Sequence, residues 1–334
     1  MGQRYYRPIA SIDHARPEGA LPLAGGWAWF DRVEEMRRDG PARLIPAKSA
    51  PAEALERLTA PRDAIAGIGM DAPRLMGILN VTPDSFSDGG RHHAFDAAVA
   101  HASAMAEAGA DIIDVGGEST RPGAQPVPEA QEIERTAPVI EAIRAALDVP
   151  ISIDTRKERV ARAAVEAGAN LVNDVAAFTY DPALAPFCAQ AGLPVCVMHA
   201  QGDPATMQDD PRYDDVTLDV YDFLAERVEA LVALGIPRAR IVVDPGIGFG
   251  KTRTHNLTLI RRLSLFHGLG CPILLGASRK RFIGDIGGTP EAADRVPGSI
   301  AVALAGIAQG VQIARVHDVA ETRAALALWR AVTG

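Results

Sequence analysis

From residue 74 to the C-terminus, short apolar runs ending in polar residues alternate eight times with stretches of helical spacing. The runs are expected as buried strands at 75–81, 111–115, 150–154, 170–175, 193–198, 240–243, 272–275 and 311–314. Between them, Phe95, Val99, Ala102 and Met105 recur at spacings of four and three, as do Tyr221, Leu224, Val228 and Leu231. Val319, Leu326 and Trp329 mark one side of the last helix. Thr155 with Glu158 predicts a capping box for a helix beginning at 156, and Asp318 with Glu321 one for the last helix. Asp181 and Pro182 read as the cap and first turn of a short helix ending at 190. Arg144 is the one polar member of the stripe Ile133, Ala137, Ile140 and Leu147, and is expected to snorkel.

Eight such units in about 258 residues have the length and order of a closed barrel. A doubly wound sheet is the competing fold, but its Gly-x-Gly-x-x-Gly turn is missing after the first strand. The fold class expected is therefore α/β, an eight-stranded (β/α)8 TIM barrel at 71–334, preceded by an extension at 1–70. The extension carries Pro8, Pro17, Pro22, Pro41, Pro46, Pro51 and Pro61, with strands expected at 4–12 and 42–47 and helices at 27–37 and 52–58. Trp27, Trp29 and Phe30 sit badly in water, so it is expected to be partly folded, with its role unknown.

A net charge of -8 argues against a general affinity for nucleic acid or an anionic membrane. Cys188, Cys196 and Cys271 show no repeated short spacing, so neither a disulfide framework nor a zinc cluster is indicated and a reducing cytoplasm fits. No run reaches the roughly 20 apolar residues of a spanning helix, and no export signal is read at the start.

In a barrel the strand ends converge on one mouth. Here they supply Asn80; Asp114 with Glu118, Thr120 and Arg121; Asp154; Asn173 and Asp174; Met198 and His199; Asp244; Ser278 and Lys280; and Arg315 with His317. Lys280, Arg315 and Arg121, with His317 and Asn80, point to a phosphate or diphosphate bound with or without a divalent ion. Asp154, Asn173 and Asp244 are left to read the donor edge of a polar ring. Asp114 or Asp174 alone reads equally well as an acceptor for backbone N–H groups, and His199 as a packed core histidine. The stretch DPGIGFGKT at 244–252 ends like a P-loop, but Pro245 stands where that loop needs glycine. It is read as a glycine-rich turn that lets a flat ligand approach, with Phe249 to cover an aromatic face.

Seven separated motifs carry a resemblance to the dihydropteroate synthase family of pterin-binding barrels: MGILNVTPDSFSDGG at 76–90, DVGGESTRPGA at 114–124, SIDT at 152–155, NDV at 173–175, DPGIGFGKT at 244–252, SRKRFIG at 278–284 and RVHDV at 315–319. The resemblance implies an enzyme that condenses 6-hydroxymethyl-7,8-dihydropterin diphosphate with 4-aminobenzoate, giving 7,8-dihydropteroate and diphosphate by Mg2+-assisted dissociative substitution. It implies that Asp154, Asn173, Met198, Asp244, Phe249 and Lys280 bind the pterin. Asn80, Arg121, Arg315 and His317 would hold the diphosphate, with Asn80 as the metal ligand. Thr120, Arg121, Pro122 and Ser278 would form the aminobenzoate pocket. Catalysis would fall to Asn80, Asp154, Lys280, Arg315 and His317, and the family implies a homodimer.

The resemblance also gives residues 82–90 the part of a mobile lid. The chain departs from the family's usual wording at Ala200, where methionine is common, so a slightly altered loop is expected. Arg91, His92 and His93 add positive charge near the diphosphate. Two alternatives remain. A methyltransferase with a corrinoid partner would not need Thr120, Arg121, Arg315 and His317, and a non-catalytic pterin-binding paralogue would be expected to lose Asn80, Asp154, Lys280 or Arg315. All of these residues are present.

Overall fold

The computed structural model describes residues 3–81, 91–119, 126–202 and 206–333, and the expected lid at 82–90 lies outside them. The first 70 residues form β1 (Arg4–Pro8), β2 (Leu21–Pro22), β3 (Trp29–Phe30), β4 (Arg32–Arg37), β5 (Gly40–Pro46) and α1 (Ala52–Thr59). The segment 27–37, expected as a helix, is therefore mostly strand, and β4 lies at the centre of an antiparallel sheet between β1 and β5. Its Glu, Met and Arg residues favour helix intrinsically, but such propensity is a weak constraint. Here cross-strand pairing wins. Arg7 meets Glu34 at 2.6 Å, Arg4 meets Glu35 at 3.2 Å, and Val33 and Met36 are buried.

Leu23, Phe30, Val33 and Leu58 give this extension a small core of its own. Polar ties then fix it to the rest of the chain. Trp27 Nε1 donates to the Ile307 carbonyl at 2.9 Å, Ser264 Oγ to that of Pro8 at 2.8 Å, and Arg62 Nη2 to that of His267 at 3.0 Å. Arg38 reaches Asp219 and Asp222 at 2.7 Å each, and Tyr5 Oη donates to Asp222.

The eight expected barrel strands are β6 (Arg74–Asn80), β7 (Ile112–Gly116), β8 (Ile151–Asp154), β9 (Leu171–Asp174), β10 (Val195–Met198), β11 (Ile241–Asp244), β12 (Leu274–Leu275) and β13 (Ile313–Val316). They pair in parallel in the order β11-β10-β9-β8-β7-β6-β13-β12, and a parallel bridge from Val243 to Ile273 closes the ring. Around it lie α2 (Arg91–Glu107), α3 (Glu129–Ala146), α4 (Glu158–Glu166), α5 (Leu184–Ala191), α6 (Val216–Ala233), α7 (Arg253–Arg261), α8 (Arg281–Gly287), α9 (Val296–Ile307) and α10 (Val319–Thr333).

Strand side chains alternate between two faces, so each strand serves two cores. Outward residues such as Leu75, Ile113, Ile153, Val197, Val243 and Val316 pack with the helices. Inward, Met76, Ile112, Leu171, Cys196, Val242, Leu274 and Ile313 make one apolar layer, which Ile65 and Met70 join from the segment preceding β6. At the next inward level β7, β8, β9, β11 and β13 carry polar residues, and that layer is described below.

Tertiary partners also engage the side chains expected at the helix starts. Thr155 Oγ1 donates to Glu132 and accepts from the Lys157 N–H at 3.3 Å, but α4 starts only at Glu158, whose N–H donates to Asp181 Oδ2 at 2.7 Å. Asp181 also accepts from the Ala183 N–H, so one carboxylate serves two helix starts. Asp318 directly precedes α10 as expected, its carbonyl accepting from the Thr322 N–H, while its carboxylate binds the Arg279 guanidinium. Arg144 does not snorkel. It donates to the carbonyls of Leu147, Val149 and Gly168 and so ties the end of α3 to the next two turns.

Met70 is fully buried beneath the barrel, and truncating a methionine in such a site costs about 2–5 kcal/mol. Met70→Ala is expected to lower the unfolding free energy in urea by that amount. A change under about 0.5 kcal/mol would show that the layer closes without it.

Candidate active site

Above the apolar layer the inward residues are Asp114 on β7, Asp154 on β8, Asn173 on β9, Met198 on β10, Asp244 on β11 and Arg315 on β13. All but Arg315 are buried. Asn80 ends β6, while Ser278, Lys280 and His317 follow β12 and β13. Of the expected site residues, the structure brings these together with Phe249 at one mouth; Thr120, Arg121 and Pro122 lie outside the described residues.

Arg315 organises the floor. Its Nε donates to Asp114 Oδ2 at 2.6 Å and its Nη2 to Asp154 Oδ2 at 2.8 Å, while Asn173 Nδ2 also donates to Asp114 Oδ2 at 3.3 Å. The second Asp114 oxygen is buried without a partner among the described residues. Burial and the neighbouring carboxylates of Asp114, Asp174 and Glu132 raise the Asp154 pKa, against the pull of Arg315. Although burial opposes the Arg315 charge, Asp114 and Asp154 hold its pKa above the ordinary value.

The opposite wall is the turn after β11. Asp244 Oδ1 accepts from the Gly246 N–H at 2.7 Å, and burial raises its pKa against the opposing Lys280 charge. Lys280 donates to the Ile247 carbonyl, with Nζ 4.2 Å from the centre of the Phe249 ring. Loss of water pulls the Lys280 pKa down to about 7, although Asp244 favours its charge. On the side of β13, Ser278 Oγ lies 3.0 Å from His317 Nδ1 and accepts from the His317 N–H.

Asp174, next to Asn173, faces the other way and takes the backbone reading: its carboxylate accepts from the N–H groups of Ala176 and Phe178. Sequence reasoning left Asp114 open between two roles. Counting by twos from the apolar Ile112 puts it inward, which is the signal that separates it from Asp174. A buried cluster below the second loop went unread. Lys157 bonds Glu118 at 3.1 Å and Glu132 at 2.7 Å, and Arg156 bonds Glu118 at 3.1 Å. The Val127 N–H donates to Glu118 as well, so the cluster ties together the described segments on either side of that loop. No spacing announces it, because its members come from three separate parts of the chain.

The layer offers three carboxylates, Asp114, Asp154 and Asp244, and the Asn173 amide, with an aromatic face and a lysine beside them. This is a donor-and-acceptor edge for a flat polar heterocycle, with cationic groups toward one rim. Lys280, followed by NMR of its side-chain nitrogen, is expected to titrate near pH 7. Asp244→Asn should move it lower, because the carboxylate favours the ammonium form. A titration near the ordinary value of about 10.4 would contradict this environment.

The family model described as "Pterin binding enzyme" matches residues 76–317. The dihydropteroate synthase of Escherichia coli (strain K12) is 47% identical over 255 residues, 76% of this chain and 90% of the relative. That of Neisseria meningitidis serogroup B is 46% identical over 270 residues, 79% and 94% respectively. Among solved structures, Xanthomonas albilineans dihydropteroate synthase with 4-aminobenzoic acid superposes with a TM-score of 0.77 at 47% identity, covering 82% of this chain and 98% of the other. The same enzyme in complex with 7,8-dihydropteroate gives 0.74 at 44% identity, with 82% and 99% covered. A barrel with this polar layer, matched along nearly the whole length of these relatives, belongs to the dihydropteroate synthase family.

Proposed function

We propose that this chain joins 4-aminobenzoate to 6-hydroxymethyl-7,8-dihydropterin diphosphate, forming 7,8-dihydropteroate and releasing diphosphate. The observation that carries the reading is the convergence of Asp154, Asn173, Asp244 and Lys280 on one inward polar layer. Solved relatives hold 4-aminobenzoic acid or 7,8-dihydropteroate, the expected second substrate and product.

In this reading the pterin lies in the layer, with its ring N–H groups on Asp154 and Asp244 and Asn173 serving both a donor and an acceptor. Lys280 donates to a ring acceptor, while Phe249 and Met198 cover the faces. Arg315, His317 and Arg121 meet the diphosphate. Arg315 already spends Nε and Nη2 on the two carboxylates, so Nη1 is the edge it turns toward phosphate. The methylene C–O bond breaks with its electron pair leaving on diphosphate. The resulting cation is shared with the ring, where the two carboxylates stabilise it. The amine nitrogen of aminobenzoate, held by Thr120, Pro122 and Ser278, then forms the C–N bond and loses a proton.

A magnesium ion commonly takes one or two protein oxygens and completes its shell with phosphate and water. Asn80, with an amide oxygen at the end of β6, fits that part, and the other donors would come from the diphosphate. Bound Mg2+ would spread the leaving group's negative charge. The reading includes a homodimer in the cytoplasm; no helix among the described residues is long and apolar enough to cross a membrane.

Incubation with both substrates and Mg2+ is expected to release diphosphate and form dihydropteroate. Pterin binding without product would favour the non-catalytic paralogue, and methyl transfer from methyltetrahydrofolate to a corrinoid would favour the methyltransferase. Lys280→Ala is expected to lower kcat/KM for the pterin diphosphate by about a hundredfold, ~2.7 kcal/mol; unchanged turnover rejects its role. Asn80→Ala should raise the Mg2+ concentration needed for half-maximal rate, and an unaltered requirement would remove it as the ligand.

A further inference from the structure

We propose that Lys251 is a positioning residue that holds the glycine-rich turn after β11 in the shape that receives the pterin. The inference rests on the reading of that turn as part of the pterin site. Lys251 is the lysine of the P-loop look-alike, yet its amine is directed into the protein. It is 3% exposed, and Nζ lies 2.8 Å from His199 Nδ1, 2.9 Å from the Phe249 carbonyl and 3.3 Å from the His199 carbonyl. Three acceptors surround the amine, whose burial pushes its pKa well below the ordinary lysine value. They are a ring nitrogen and two carbonyls rather than a carboxylate, an expensive way to bury a lysine unless the geometry it enforces matters.

The amine joins the end of β10 to the turn. His199 follows β10, and its carbonyl oxygen fills the space a side chain at Gly246 would need; Gly246 also has a φ of +68°. Burial and the Lys251 charge push the His199 pKa down to about 2, so the ring is neutral and Nδ1 can accept. Phe223 packs edge-on against that ring at 4.9 Å and fixes its plane. Two further bonds reach the turn from the segment after β10: Tyr213 Oη donates to the Gly250 carbonyl at 2.7 Å and Gln208 Nε2 to that of Gly248 at 2.5 Å.

The consequence lies on the other side of the turn. Phe249, whose carbonyl Lys251 holds, places its ring against Lys280, and the Ile247 carbonyl accepts from Lys280. The Gly246 N–H donates to Asp244. Releasing Lys251 frees the segment that orients Asp244, Phe249 and Lys280 together, without removing a group that touches the ligand. Pterin affinity should fall and the aminobenzoate side should not.

The test uses the full chain with 6-hydroxymethylpterin as the binding probe, alongside steady-state kinetics with both substrates. Lys251→Met is expected to raise the pterin Kd and the pterin diphosphate KM by about tenfold or more, leaving the aminobenzoate KM within about twofold. His199→Leu, which removes the ring acceptor, should move the same quantities in the same direction. His199→Asn, which keeps an acceptor close to the Nδ1 position, should restore most of the affinity. A pterin Kd within about twofold of wild type in whichever of Lys251→Met and His199→Leu folds overturns the inference, as does an equal loss for both substrates. Asp244→Asn is the control. If it leaves pterin affinity intact, the site reading fails and the inference with it; if it weakens binding while the folded Lys251 and His199 variants do not, only the positioning role fails.

Discussion

A guanidinium held between two carboxylates, Arg315 with Asp114 and Asp154, lets a polar layer exist inside this barrel. Each of these charges would be unstable alone in so dry a place. Together they compensate one another, and removing one member of such a buried set costs about 3–5 kcal/mol because the others lose their partner. Compensation is incomplete by design of the position: Asp154 is still pushed toward protonation by burial, and one Asp114 oxygen is buried without a partner among the described residues. A ligand that brings N–H groups to this layer relieves part of that cost.

The arrangement depends on what lies beneath. Met76, Ile112, Leu171, Cys196, Val242, Leu274 and Ile313 exclude water from below, and Ile65 and Met70 contribute to the same layer from outside the repeat. The extension is thus joined to the barrel in two ways, through this apolar contact at the end of its segment and through the ties of Trp27, Arg38 and Arg62 to the outer helices. Stability and chemistry occupy successive inward positions of the same strands. A shift of one residue in β7, β8 or β11 would exchange a helix-facing aliphatic for a site carboxylate.

The fold was legible because its signal is local and repeated: apolar runs, helical stripes and a polar residue at each strand end. That Asn80, Asp154, Asn173, Asp244, Lys280 and Arg315 meet at one mouth was legible for the same reason, since in a barrel the strand ends converge. Segment 27–37 was misread because Glu34, Glu35 and Arg37 suit a helix, and their pairing with β1 and β5 is visible only in three dimensions. The helix expected from Thr155 was placed too early because Glu132 holds the Thr155 hydroxyl and Asp181, far along the chain, accepts from the first N–H of α4. Lys251 and Lys157 were missed because nothing in periodicity or spacing tells a buried lysine from an exposed one.

The most direct measurement is a crystal structure of the chain with a pterin and 4-aminobenzoate bound. The expected result is a ring inside the barrel mouth, its N–H edge on Asp154 and Asp244, with Asn173 and Lys280 in contact and Phe249 over one face. A pterin bound elsewhere, with the layer of Asp154, Asn173, Asp244 and Lys280 left without ligand contact, would contradict it.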